Sequence, residues 1–378
     1  MKKILQHIKL ETLGSFLLLL ASGVAIYLAN SSTYQQSYNA FFTTHVGSLS
    51  LKEWIYDVLM VFFFLSVSID LKKELLSGSL SQKGHATLPL IAAFGGMLIP
   101  AMIFLLINVN HLDHYRAFAV PCATDIAFAI GVFTIVMRNQ VAQTAKMFLL
   151  ALAIFDDLGA ILLIATCYSS NINLIPLIFV IVGTLILAIC NKSNHQKMWP
   201  YLCAGILIWV GLHACGIHTT ISGVIVGMFL PSSTKEYSIQ KAKEILSRSV
   251  ALVILPIFAL SACNIDLSTI NLKSIIHPIT LGVFLGLFIG KQIGIFFFTW
   301  ITVKICSIKL AKLSWWDIYI VSIVAGIGFT MSLFIGELSF TDKESLNFVK
   351  TGLLLASASS VLLSLILVQI KNLLGIKC

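Results

Sequence analysis

Charge is scarce in this chain. Of its 378 residues only 11% are Asp, Glu, Lys or Arg, against 58% hydrophobic. A soluble globular domain carries roughly 25% charged residues. A soluble fold of this length could not hide so much apolar surface, which leaves lipid to cover it. No stretch stays polar long enough to fold as a soluble domain, so the engine of an ATP-driven or redox enzyme is missing. The eight cysteines form no C-x-x-C pair and most lie in apolar stretches, where they read as small core hydrophobes. Terminal Cys378 does not fit the C-a-a-X prenylation pattern. The nine histidines show no paired metal-ligand spacing, which argues against a zinc- or haem-based enzyme. The net charge of +9 is scattered through short loops, so nucleic acid is not the expected partner.

What is present is a succession of apolar runs. A spanning helix needs about 20 mostly apolar residues, and the runs predict twelve spans near 12–30, 54–76, 87–107, 117–137, 145–168, 173–190, 198–213, 217–230, 247–264, 279–302, 316–337 and 347–371. The seventh and eighth are short for a bilayer core. Lys2 and Lys3 followed by an apolar run resemble a signal peptide, but the run from Leu13 to Leu28 is long and no small-x-small cleavage site follows, so an uncleaved first span is expected. The cations then sort by side. With the N-terminus inside, nineteen Lys and Arg fall in inside segments and five (Lys52, Arg116, Lys273, Lys343, Lys350) in outside ones, with Lys291 left within a span. Cytoplasmic loops hold the excess of positive charge, so both termini are expected in the cytoplasm of an inner-membrane protein. The expected fold is an all-α polytopic membrane protein with residues 1–378 as one transmembrane domain.

Two connectors stand out. His45–Lys52 alternates around Gly47-Ser48 as a small hairpin would, with an ordinary loop the alternative. The inside segment 231–247 is the longest inside connector and could join two halves.

Ionisable residues in mid-span are costly and mark function by default. Four occur: Asp125, Asp156, Asp157 and Lys291. Asp156 and Asp157 are neighbours, about 100° apart around a helix, so one can meet a cavity while the other meets a partner. Two adjacent buried carboxylates cannot both ionise cheaply, which makes protons and cations competitors for one site. A small hard cation such as Na+ prefers oxygen ligands of this kind. Ala151, Ala153, Gly159 and Ala160 around the pair allow close helix approach. Lys291, buried, needs a carboxylate partner or must shed its proton; snorkelling to an interface is the alternative.

Asp125 follows Pro121 in Pro121-Cys122-Ala123-Thr124-Asp125. The proline breaks helix nearby, and a carboxylate there would offset the positive end of a half-helix, either as a purely structural group or on an ion path. Gly326-Ile327-Gly328-Phe329-Thr330-Met331-Ser332 reads as a second interruption, with small-residue packing the alternative. Interruptions in corresponding spans of two repeats point to a transport site. His218 lies at a span edge, structural or pH-sensing. Asp57, Asp70 and Glu74 lie at the ends of the second span.

These segments carry a resemblance. ATDIAFA at 123–129, ALAIFDDLGA at 151–160, IGK at 289–291 and GIGFTMSLFI at 326–335, supported by GIHTTISGVIVGMFLP at 216–231 and IAAFGGMLIP at 91–100, are similar to the NhaA-type sodium/proton antiporters over nearly the whole chain. The resemblance implies twelve helices in inverted repeats, with the fourth and eleventh discontinuous and crossing at mid-membrane. It implies electrogenic, pH-regulated exchange of intracellular Na+ or Li+ for protons, without a cofactor. By position, Asp157 would be the main ion-binding carboxylate, and Asp156 its neighbour, paired with Lys291 in one state. Asp125 and Thr124 would lie at the crossing and Asp57 in an outer funnel. Asp70, Lys73, Glu74, Lys243, Glu244 and His218 fall where the family places its pH response. A homodimer would use the 41–52 loop.

The chain departs from the family at Gln292, where a proline is common, at Ser261–Asn264, where an Asn-Ala-Gly is usual, and at Asp70, usually Glu. The rival readings are a proton-coupled symporter of an organic solute, which wants a larger cavity, and a channel, which wants rings of charge.

Overall fold

The computed structural model describes residues 2–77, 86–137, 142–169, 173–193, 195, 197–231, 237–306 and 313–373. Its helices are α1 (Lys2–Asn30), α2 (Gln35–Thr43), α3 (Leu51–Trp54), α4 (Met60–Ser77), α5 (Thr87–Ile107), α6 (Ile126–Val136), α7 (Ala142–Cys167), α8 (Leu177–Lys192) and α9 (Trp199–Cys215). They continue with α10 (Ile221–Phe229), α11 (Tyr237–Ser249), α12 (Leu255–Ala262), α13 (Leu272–Ile276), α14 (Pro278–Leu285), α15 (Lys291–Cys306), α16 (Trp315–Val324), α17 (Phe329–Ser339) and α18 (Lys343–Leu373). Several join through wider π-helical turns: Ile55–Leu59 links α3 to α4, Val250–Ile254 links α11 to α12, and Gly286–Gly290 links α14 to α15. A 3-10 segment, Leu112–Cys122, leads into α6.

Seven helical stretches among the described residues are long and apolar enough to cross a membrane. Two further pairs pass the same test together but bend at a break: Leu112–Cys122 with α6, by 48°, and α16 with α17, by 45°. Helices α8 and α9 are shorter and apolar. The chain is an all-α, multi-pass membrane protein. Lipid-facing leucines and aromatics need no other account in such a fold, since lipid satisfies apolar surface as a core would.

The hairpin is real. His45 pairs with Ser50 and Val46 with Leu49, antiparallel, around Gly47, whose φ of 71° suits a tight turn. Ser50 then caps α3, its hydroxyl taking the Glu53 N–H while the Glu53 carboxylate returns to the Ser50 N–H. Some boundaries differ from the sequence reading. The eighth run, 217–230, is helical only over the nine residues of α10, because His218–Thr220 form turns. The connector 231–247 is already helical from Tyr237. Lys350 and Lys371, taken as loop or end charges, are instead buried within α18. Of the inside cations, Lys83, Arg138, Lys235, Lys309, Lys312 and Lys377 lie outside the described residues.

One contact matters most for the site. Helices α5 and α15 pack closely through glycine. A methyl group on Gly294 would stand 2.2 Å from the Gly95 carbonyl oxygen, so only glycine lets these backbones meet. Lys291 opens α15 one turn before Gly294, and this contact holds it in the bundle interior.

Candidate functional site

The two breaks are bonded to each other. A helix interrupted inside a bundle leaves N–H and C=O groups without intrahelical partners, and burial without replacement would be costly. Here each break supplies the other. The Asp125 N–H donates to the Ile327 carbonyl at 2.8 Å, the Thr124 hydroxyl donates to the Ala325 carbonyl at 2.8 Å, and the Ser332 hydroxyl donates to the Val120 carbonyl at 2.8 Å.

Asp125 ties the two half-helices further. Its Oδ1 accepts the Phe128 N–H at 2.9 Å, capping α6, and its Oδ2 accepts the Thr330 N–H at 3.0 Å and the Thr330 hydroxyl, at the start of α17. One carboxylate thus faces the positive ends of two helices. Both of its oxygens accept hydrogen bonds.

Asp156 and Asp157 lie on α7 with no solvent exposure. They do not face lipid: α7 is packed between α5 and α6, and a methyl group on Gly159 would stand 2.2 Å from Met97 Sδ on α5. Asp156 is partnered. Its Oδ2 accepts the Lys291 ammonium at 2.6 Å and lies 2.7 Å from the Thr124 hydroxyl, whose single proton it shares with the Ala325 carbonyl. Lys291, also without exposure, therefore does not snorkel. Asp157 differs. Among the described residues neither of its oxygens has a hydrogen-bonding protein partner, and Asp156 Oδ1 also lacks one. The charged groups that face Asp157 are Asp156, Asp125 and Lys291. The structure thus brings Thr124, Asp125, Asp156, Asp157 and Lys291 into one locus.

Below this locus is a recess of about 30 Å³ lined by Glu74, Met147, Leu150, Ala151 and Ile154. Met147, Leu150, Ile154 and Asp157 recur at helical spacing, so the recess runs along the face of α7 that carries Asp157, about one turn short of it.

The remaining expected residues divide between two places. Lys243 donates to the Pro231 carbonyl at 2.5 Å, and the charges facing it are Lys72, Asp70 and Lys73. Lys72 ties α4 to the end of α10 through the Met228 and Leu230 carbonyls. Glu244 is exposed on the next position of α11. His218 is elsewhere, with Asp57: its Nδ1 lies 2.8 Å from the Thr220 hydroxyl and its Nε2 lies 3.9 Å from Asp57 Oδ1. The Asp57 carboxylate also accepts the Thr219 hydroxyl. Gln292, where the family commonly has proline, donates to the Phe288 carbonyl at 2.6 Å and accepts from the Tyr319 hydroxyl.

Sequence reasoning missed two ion pairs, one buried and one half-exposed. Lys371 meets Asp317 at 2.6 Å, joining α18 to the first turn of α16, and Lys52 meets Glu337 at 2.6 Å. The available signal was an acidic residue at each end of the apolar run 316–337, Asp317 and Glu337.

The sequence profile of the Na+/H+ antiporter 1 family matches residues 5–368.

The chain belongs to the Na+/H+ antiporter 1 family.

Similar relatives within the family are named Na(+)/H(+) antiporter NhaA. That of Proteus mirabilis is 40% identical over 377 residues, and that of Vibrio cholerae serotype O1 is 38% identical over 368 residues, each alignment covering 96% of both chains. That of Pelagibacter ubique is 37% identical over 364 residues, covering 93% of both. The Na+/H+ antiporter family thus spans both breaks and the aspartate pair in this chain.

Proposed function

We propose that this protein is a secondary transporter that exchanges intracellular Na+ or Li+ for extracellular protons across a bacterial inner membrane, serving sodium and pH homeostasis. One observation carries the reading: Asp157 has a buried carboxylate, without a hydrogen-bonding partner among the described residues, beside Asp156, Asp125 and Lys291. An unpaired carboxylate in a dry interior demands a counter-charge. A proton or a small hard cation supplies it, and only one at a time, which is exchange.

Asp157 is the main ion ligand and Asp156 the second. Cation entry draws Asp156 away from Lys291. Thr124, whose hydroxyl lies 2.7 Å from Asp156 Oδ2, offers a hydroxyl ligand. Asp125 holds the crossing of the two broken helices without giving up an oxygen to the ion. The site is reached alternately from the two sides, from within along the recess beside Glu74. Protons outnumber sodium ions in each cycle, so exchange is electrogenic and driven by the proton gradient. The pH response lies with Asp70, Lys73, Glu74, Lys243 and Glu244 near the inner ends of α4 and α11, and with His218 near Asp57 at the outer side.

The transport domain is single and covers residues 1–378. It has twelve membrane segments, with each bent pair counted as one span and α8, α9 and α10 as three short ones; the fourth and eleventh are discontinuous and cross at mid-membrane. Both termini are cytoplasmic, which the distribution of lysine and arginine supports. Lipid surrounds the bundle, a second copy docks through the 41–52 hairpin segment, and no cofactor is required.

Everted vesicles loaded with a pH-reporting dye test the function. Addition of NaCl or LiCl is expected to collapse a respiration-generated proton gradient, with no organic solute present. Dependence on an organic solute would indicate a symporter, and cation flux without proton movement a channel; either result overturns the reading.

A further inference from the structure

At the end of the bundle that carries the hairpin, three charged side chains meet. Lys52 Nζ lies 2.6 Å from Glu337 Oε2, and Lys350 Nζ lies 3.7 Å from Oε1 while donating to the Asn264 carbonyl at 3.0 Å. The Glu337 side chain is 9% exposed and that of Lys350 8%, but Lys52 is 40% exposed. Lys52 also stands 5.6 Å from the centre of the Tyr56 ring. One carboxylate is thus held between an ammonium that water reaches and one that it barely reaches.

The partners come from opposite sides of a seam. Helix α4 packs on α10, α9 on α8 and α10, and α1 on α12. On the other side α5 packs on α15, α17 on Leu112–Cys122 and on α18, and α18 on α14. The two groups meet at fewer places, among them α12 against α17 and α1 against α6. Lys52 and Asn264 belong to the first group, Glu337 and Lys350 to the second. Phe334, one turn before Glu337, meets Tyr56, Phe64 and Phe258 across the same seam at ring distances of 6.0, 5.7 and 6.2 Å. The ion pairs therefore close over an aromatic plug.

We infer that Lys52, Glu337 and Lys350 form a latch that holds the two helix groups together on the outer side and must part before Asp157 can exchange an ion with the exterior. The rings give undirected contact and tolerate sliding. The charged pairs have direction, and they fix one register of α17 against the start of the second membrane segment. The solvent-reached arm at Lys52 is where opening begins, because water can replace one partner there while Lys350 keeps its bond to Asn264. These are positioning residues: none touches the transported ion.

The inference rests on the alternating-access reading and on the outer assignment of the hairpin. Native Cys263 reports on it. This thiol has no exposure and precedes Asn264, directly behind the latch. A membrane-impermeant maleimide is applied to intact cells producing the full chain, and labelling at Cys263 is followed by peptide mass spectrometry. Lys52→Gln is expected to label about three- to fivefold faster than the parent, as loss of one half-exposed ion pair raises the open population. Lys52→Arg, which keeps the charge, is expected to label as the parent does. Glu337→Gln is expected to exceed Lys52→Gln, since it removes both pairs. Equal rates in parent, Lys52→Gln and Glu337→Gln overturn the latch. Acceleration seen only with everted vesicles supports the latch and overturns the outer assignment instead.

Discussion

Lys291 and Asp156 meet at 2.6 Å with neither side chain exposed, while Asp157, next in the chain, has no hydrogen-bonding partner among the described residues. Two adjacent carboxylates thus hold different positions: one is neutralised by a fixed cation, the other waits for a mobile one. The asymmetry follows from helix geometry, since consecutive side chains on α7 point about 100° apart and only Asp156 faces α15.

Removing the fixed cation leaves a buried carboxylate uncompensated. Lys291→Ala is expected to cost about 3–5 kcal/mol, read as a fall in the thermal midpoint of the purified protein in detergent. Lys291 tunes Asp156 and is not itself carried through the cycle, so Lys291→Arg is expected to keep activity at a shifted pH. Loss of activity at every pH in that variant would contradict the tuning role.

The crossing of the breaks depends on Thr330. Its N–H and its hydroxyl both serve Asp125 Oδ2. Thr330→Val keeps the shape and loses the hydroxyl, with an expected cost of about 1.5–3 kcal/mol for a hydrogen bond to a charged group. Thr330→Ser is expected to restore most of it. Thermal midpoints of the three proteins decide the matter.

Glycine at 294 sets where Lys291 stands. The methyl group of Gly294→Ala meets the Gly95 carbonyl at 2.2 Å, so α5 and α15 must separate. Overpacking of this kind costs about 1–3 kcal/mol. Lowered stability is expected together with a weaker apparent affinity for Na+, because Lys291 moves with α15. Unchanged affinity in a destabilised protein would place the effect in packing alone.

A pH effect on stability is expected at His277. Its Nδ1 accepts the Ile279 N–H and caps α14, the helix that leads to Lys291. Burial, with His111 beside it, holds the imidazole below its ordinary value of 6.5, and Glu344 opposes the shift. The neutral ring is therefore favoured by folding. Its contribution is complete above the unfolded value and is lost as pH falls through the lower folded value. Amide exchange in the first turn of α14, corrected for intrinsic rates, is expected to speed up as pH is lowered across that range. His277→Asn caps without titrating, and it is expected to remove the dependence.

The sequence made the chemistry easy to locate, because an ionisable residue in an apolar run has few bland explanations. Asp156, Asp157 and Lys291 stood out for that reason, and Pro121 and Gly326-Ile327-Gly328 marked both breaks. Residue spacing alone left open which aspartate took the lysine, since that depends on the rotation of α7 against α15; only the family resemblance pointed to Asp156, which the structure pairs with Lys291. The bonds between the breaks were hidden for the same reason: Asp125 to Ile327 and Thr124 to Ala325 join residues about two hundred positions apart. Glu337 with Lys52 and Asp317 with Lys371 escaped notice because each member sits near the end of a run, where a solvated charge is the ordinary expectation. Gln292 was legible only as a departure. The structure gives it the Phe288 carbonyl and the Tyr319 hydroxyl as partners, contacts a proline could not make.

Proton release on sodium binding tests the central claim most directly. NaCl is added to the purified, weakly buffered protein, with choline chloride as the control, and the pH change is recorded. Competition at Asp157 is expected to release protons from the parent protein on Na+ addition, with little release from Asp157→Asn, whose thermal midpoint shows it folded. Proton release by Asp157→Asn equal to that of the parent would contradict the assignment of ion and proton to this carboxylate.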